Sequence, residues 1–250
     1  MTTVKNLYDY INSLAPFDTQ DEWDNSGHLI GDFRKPVRRC VMALDCTKGV
    51  SAYAADVKAD LLFTHHPVIF HGIKSIKKGD AVYTLIENDI AAISAHTNYD
   101  IALGGINDNL ASLLDLRNTR HSERQKLLVI GELEHPMSID DFAEHVSNAL
   151  HCAAIRYTDT EKTIQTVAVG GGACEEFLED ACADADVFVT GDMKYHPMLN
   201  AAEEGRTVVV AGHYETESVP FLMLKDKLEA MFPDVEFLIA PYENPIKSVG

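Results

Sequence analysis

The chain has 250 residues, 46% of them hydrophobic and 24% charged, the balance of an ordinary globular protein with one large or two small domains, which excludes a disordered or fibrous chain. A formal charge of −18 at pH 7 repels phosphate backbones and argues against general nucleic-acid binding. The longest apolar runs, such as residues 207–211, are far too short to span a bilayer, and residues 1–10 carry Lys5 and Asp9 where a secretory leader needs a continuous apolar core; the expectation is a cytoplasmic protein with no membrane partner.

In chain order, Val4, Leu7, Ile11 and Leu14 recur at helical spacing and Pro16 closes the helix. Residues 17–36 are polar and read as loop with short pieces. Strands are expected over 37–44, 60–64 and 90–94, with helices over 49–58 and 81–88 between them. The second half repeats the rhythm: strands over 126–133 and 153–157 flank a helix over 138–150 with Ser138 as its N-cap. Further strands follow over 163–169, 187–190, 207–211 and 235–240, with helices over 196–204 and 218–231. Strands alternating with helices define an α/β protein with a largely parallel or mixed sheet. Cys40, Cys46, Cys152, Cys174 and Cys182 are odd in number and contain no CxxC, so neither a disulfide framework nor a thiolate zinc site is expected.

Four of these strands hand over to a polar cluster. Residues 60–64 lead into His65 and His66, 90–94 into His96 and Asp100, 187–190 into Asp192 and His196, and 207–211 into His213 and Glu217. Open α/β sheets gather ligands beyond the carboxyl ends of their strands, so the four can converge on one site. Each fragment alone has an ordinary structural explanation. His65 and His66 can be one core and one surface histidine; Asn98 and Asp100 suit a turn; Glu217 suits a helix N-terminus; Lys194 and His196 suit capping or packing. Trp23, the only tryptophan, sits among acids in DEWDNSG and reads as a loop packed by one aromatic.

Together the fragments say more. Pro67 forces an extended exit that lets His65 and His66 diverge toward two ions. His213 and Glu217, four apart, share a face if a helix begins there. Three imidazoles and two carboxylates suit a dinuclear site, where two ions about 3.5–4 Å apart share a bridging carboxylate and a water made nucleophilic near neutrality. Walker A, HExxH and GxSxG motifs are absent from the sequence, and Gly170-Gly171-Gly172 lacks the dinucleotide-binding spacing.

WDNSG, LDCT with ADLLFTHHPVIF, SAHTNYD, TGDMKYHP and GHYETE occur in this order between about Leu7 and Phe237. They resemble the NIF-three-like family of dinuclear-metal proteins, often named GTP cyclohydrolase I type 2 homologues. The resemblance implies two similar α/β halves with mixed sheets packed into one unit. The halves would span about 1–120 and 121–250, the C-terminal end packing with the first, with no inserted domain and with the metal site at the strand C-terminal ends between them. It also implies that His66 and Asp100 hold one ion, His65 and His213 the other, and that Glu217 bridges both. The ions would be two divalent metals per subunit, from among Zn, Mn, Fe, Ni and Co, in a toroidal homohexamer. The implied activity is metal-dependent hydrolysis of a nucleotide-like small molecule, with His96, Lys194 and His196 as candidates for orienting or protonating it. The alternative is a non-catalytic metal-binding ring for storage, delivery or scaffolding. A phosphoesterase of the polymerase-and-histidinol-phosphatase type ranks lower, because the early HxH pair is missing.

Overall fold

A computed structural model describes residues 1–241 and 244–247. Helix α1 (Val4–Leu14) buries Val4, Leu7 and Ile11; Thr3 and Asn6 cap its start reciprocally. Then come β1 (Gly27–Ile30), β2 (Arg39–Ala43), α2 (Lys48–Asp56), β3 (Leu61–Thr64), α3 (Ala81–Glu87), β4 (Ala91–Ser94), α4 (Thr97–Asp100), α5 (Ile106–Leu113), β5 (Arg117–His121) and β6 (Val129–Ser138). They are followed by α6 (Ile139–Leu150), β7 (Arg156–Tyr157), β8 (Thr163–Gly170), α7 (Leu178–Asp184), β9 (Val187–Thr190), α8 (Tyr195–Glu203), β10 (Thr207–Val210), α9 (His213–Leu222), α10 (Leu224–Met231) and β11 (Glu236–Ile239). The chain divides into two compact units: Met1–Leu103 with the segment beginning at Phe221, and Gly104–Pro220 with the segment beginning at Asn244.

The first unit carries a five-stranded mixed sheet in the order β1-β4-β3-β2-β11. Strands β11, β2, β3 and β4 run parallel, and β1 closes one edge antiparallel to β4. From Cys40 onward the central strands are buried, and they are apolar up to Thr64 and Ser94 at their carboxyl ends, as parallel strands covered on both faces must be. On one face Val41, Leu62 and Ala92 pack with Val50 and Ala54 of α2 and Leu85 of α3.

The second unit carries a six-stranded mixed sheet in the order β5-β6-β8-β9-β10-β7. Strands β8, β9 and β10 are parallel; β6, β5 and β7 flank them antiparallel. Alternation along these strands splits the core in two. Val167, Val187 and Val209 face Leu110 of α5 and Phe142 and Val146 of α6. Ala168, Phe188 and Val208 face Ala181 of α7 and Ala201 of α8.

The two units repeat one device. Ala59-Asp60-Leu61-Leu62-Phe63-Thr64 and Ala185-Asp186-Val187-Phe188-Val189-Thr190 enter the central parallel strand in the same register. The Asp60 carboxylate accepts from the amides of Arg38 (2.8 Å) and Arg39 (3.1 Å). The Asp186 carboxylate accepts from those of Gln165 (3.1 Å) and Thr166 (2.8 Å). Each aspartate thus satisfies amides at the entry of the neighbouring strand and pins its register.

The structure extends the sequence expectations in places. The strand expected over 126–133 runs on as β6 through Pro136, and the register shift between Glu132 and Met137 accommodates the missing proline donor. The helix expected over 218–231 is two helices, and the first already begins at His213. Strand β5 (Arg-Asn-Thr-Arg-His) is almost wholly exposed and carries no apolar alternation to mark it. Among the described residues, no helix is long and apolar enough to cross a membrane.

Candidate metal centre

In the first unit the ladder outlasts the strands. His65 N donates to Ala43 O (3.4 Å), His66 N to Leu44 O (3.0 Å) and Ala95 N to Thr64 O (3.0 Å). Asp45, His65, His66 and His96 therefore leave from adjacent parallel strand ends on a hydrogen-bonded frame. His65, His66 and His96 each offer one ring nitrogen, and these atoms lie within 4.8 Å of one another. His65 is wholly buried; its Nε2 lies 3.4 Å from Oδ1 of Asp100 at the end of α4.

The opposite ring nitrogens are tied down. His65 Nδ1–H donates to the Ala95 carbonyl at 2.8 Å, His66 Nδ1–H to Asp45 Oδ1 at 2.7 Å and His96 Nδ1–H to Asp24 Oδ1 at 2.9 Å. These partners only accept, so each Nδ1 carries a proton, and in a neutral imidazole that leaves the lone pair on Nε2, the form that binds a metal. Asp24 also accepts from Thr97 N (3.1 Å), Thr97 Oγ1 (2.7 Å) and Ser26 Oγ (3.0 Å). Burial opposes its ionisation, but the hydrogen bonds from His96 and Thr97 and the His96 ring outweigh it and hold the carboxyl well below the usual range.

In the second unit α9 starts at His213 and brings Glu217 one turn on, with His213 Nε2 3.1 Å from Glu217 Oε2. His213 Nδ1–H donates to Asp192 Oδ2 at 2.7 Å, the same carboxylate–histidine arrangement as Asp45–His66. Glu217 is only 3% exposed. The registers of the two units align position by position: Asp45 corresponds to Gly172, His65 to Gly191, and His66 to Asp192. Where the first unit places ligand-capable side chains on its strand ends, the second clears them with glycine and lets the first turn of α9 fill the space. Gly172 has φ +64°, and a Cβ there would collide with the Glu217 carboxylate. A Cβ on Gly191 would lie 2.6 Å from Gly172 O and 2.8 Å from His213 Cα. Thr216 Oγ1 accepts from Gly172 N at 3.0 Å and fixes this approach. The glycine run that lacks dinucleotide spacing is thus a seat for α9.

Within the first unit His65, His66, His96 and Asp100 come together, and within the second His213 and Glu217 do. Lys194, the residue preceding α8, is 84% exposed and pairs with Glu175 (3.2 Å); His196 is exposed on α8. Sequence reasoning passed over Asp45, Asp24 and Gly172. The signal for Asp45 is its place two residues beyond a buried strand, the rule that had singled out the histidines. None of the five cysteines is paired. Burial and the Asp45 charge push the Cys46 thiol up to about 12, so Cys46 is a neutral thiol packed against the first core.

Strand, turn and helix in both units make this a mixed α/β protein whose parallel strands present histidines and carboxylates at their carboxyl ends. The chain matches the Duf34/NIF3 (NGG1p interacting factor 3) family over residues 2–245 and belongs to it. It is 30% identical over 250 residues to the "GTP cyclohydrolase 1 type 2 homolog" of Clostridium perfringens, covering 95% of each chain. It is 31% identical over 234 residues to the protein of the same name from Methanocaldococcus jannaschii, covering 90% of this chain and 94% of that one. Among solved structures it resembles Staphylococcus aureus hypothetical protein SA1388, with TM-score 0.91 and 26% identity over 99% of both chains. It also resembles reduced HcgD from Methanocaldococcus jannaschii, with TM-score 0.84 and 30% identity over 96% of this chain and 98% of that one.

Proposed function

We propose that the chain binds two divalent metal ions through His65, His66, Asp100, His213 and Glu217 and hydrolyses a nucleotide-like small molecule with them. One observation carries the reading. Four histidines at the strand ends, in two units, have Nδ1 donating to an oxygen acceptor, the second partner that metal-bound histidines ordinarily have and that fixes Nε2 as the coordinating nitrogen. Imidazole and carboxylate donors suit Zn, Mn, Fe, Ni or Co. The 3.4 Å approach of Asp100 to His65 Nε2 supports Asp100 as a ligand beside the histidine pair, where the family resemblance pairs it with His66.

Bound divalent ions would supply Lewis acidity and the local positive charge that a chain of −18 otherwise lacks. The chain's own residues do the rest. Ala95, Asp45 and Asp192 aim the imidazoles, and Glu217, nearly buried, offers two oxygens. His96, anchored by Asp24, lies beside His65 and His66 and is the first candidate to hold or pass a substrate proton. Lys194 and His196 rank behind it. The names of the relatives point to a guanine nucleotide, and the unpaired cysteines accord with a cytoplasmic setting. A homohexameric ring completes the proposal, to be checked by sedimentation equilibrium.

Elemental analysis of tag-free protein tests the site directly. About two equivalents of metal per chain are expected in the parent, with a clear loss in Glu217→Ala. No metal after reconstitution would remove the centre and the enzyme with it. Metal without turnover on a nucleotide panel would leave the non-catalytic storage or scaffold role.

A further inference from the structure

Trp23 and Phe70 are large apolar side chains that fold at the surface of the first unit without being covered, 58% and 37% exposed. They are not scattered. Their ring centroids lie 5.9 Å apart, and each lies 5.8 Å from the His96 ring, edge to face. The loops that carry them are tied together, since Asn25 Nδ2 donates to Ile69 O at 2.6 Å. The residue after Trp23 is Asp24, the carboxylate that orients His96. Two rings are thus held open to solvent beside the His65–His66–His96 cluster. Charge differs between the two loops: exposed Asp21 and Glu22 precede Trp23, whereas the Phe70 loop is basic. In a chain of −18, the stretch from Pro67 to Gly79 contains Lys74, Lys77 and Lys78 and no acid, and all three lysines are exposed.

We propose that Trp23 and Phe70 form a stacking shelf for a planar, anionic heteroaromatic ligand, its ring lying on one of the two aromatic rings and meeting the other, inclined at 41°, by its edge, and its negative group drawn to the lysines of the 67–79 segment. Stacking on aromatic side chains accepts any flat π-system, and the lysines of the loop that carries Phe70 add a salt-dependent attraction for the anion. The proposal deepens the hydrolase reading by naming the ligand class and the surface that takes it. It rests on that reading only for the role of the ligand as substrate.

Because Trp23 is the only tryptophan, its emission, excited at the red edge to avoid absorption by the base, reports the shelf without a label. GMP, guanosine and inorganic triphosphate are titrated separately into the full chain. Saturable quenching by GMP, weaker quenching by guanosine and none by triphosphate are expected. Phe70→Leu, which keeps bulk and removes the ring, should weaken GMP roughly tenfold, and Phe70→Tyr should restore it. Replacing Lys74, Lys77 and Lys78 by Gln should weaken GMP toward guanosine and flatten its salt dependence. The same titration on Glu217→Ala separates this proposal from the metal reading, because quenching persists there even if metal binding and turnover are lost. Three results would overturn it: no saturable quenching by GMP or guanosine, equal quenching by triphosphate, or an emission change on dilution alone that GMP does not alter. The last would mark the shelf as an interface between copies of the chain.

Discussion

A neutral imidazole can carry its proton on either nitrogen, and metal binding needs the lone pair on a chosen one. The protein makes that choice for His66 and His213 with carboxylates, Asp45 and Asp192, and for His65 with a backbone carbonyl. Removing such a partner frees the ring without touching a ligand. Asp45→Ala and Asp192→Ala should each weaken metal binding roughly 10–100-fold, read by competition with a chromophoric chelator, while circular dichroism stays that of the parent. Unchanged affinity would mean that these carboxylates only decorate the surface. Gly172 poses the complementary case. At φ +64° an alanine costs about 1–2 kcal/mol from the backbone alone, and its Cβ meets the Glu217 carboxylate. Gly172→Ala should lower the melting temperature and reduce metal content together. Lower stability with full metal content would show that Glu217 is not a ligand.

At the scale of elements, capping and strand entry set the frame. Ser138 caps α6 by accepting from Asp141 N, and Asp140 and Asp141 complement the helix dipole in the first turn. Ser138→Ala should cost about 1 kcal/mol in urea unfolding. Asp186 supports the strand entry of the second sheet. Burial raises its carboxyl, but the Thr166 and Gln165 amides and the Thr166 hydroxyl prevail and hold it below the ordinary aspartate value. A depressed folded pKa contributes stability above the unfolded value of about 3.9, and that contribution is lost as pH falls through the folded pKa. The urea midpoint of Asp186→Asn should therefore trail the parent at pH 7 and converge with it at acid pH. A gap that does not narrow on acidification would assign the effect to geometry instead of charge. The matching Asp60 in the first sheet shows that one solution to strand entry serves both units.

For the whole molecule, the excess of acids is a standing repulsion. Raising ionic strength from roughly 10 to 150 mM shortens the screening length from about 30 to about 8 Å, so metal-free protein should melt at higher temperature in the saltier buffer. Added divalent metal should raise the melting temperature further, since a ligand that binds only the folded state stabilises it by mass action. That second rise should be absent in Glu217→Ala; its persistence there would place the metal elsewhere.

The sequence by itself determined the alternation of buried strands and helices, the N-cap at Ser138, the exact bounds of α1 and β9, and the rule that polar clusters follow apolar strands. Those are local properties, written in periodicity and in the residue that ends each run. It also named His65, His66, His96, Asp100, His213 and Glu217, and the structure gathers the first four in one unit and the last two in the other. What only the tertiary structure decided is how each side chain is aimed. His96 meets Asp24 across 72 positions, His66 meets Asp45 across 21, and Gly172 meets Thr216 across 44. No spacing rule links residues so far apart, because parallel strands are brought together by crossovers whose length carries no record of register. Strand β5 was hidden for a different reason: an exposed edge strand has no apolar face to show. Helix α9 begins where it does because two glycines in other loops make room for it.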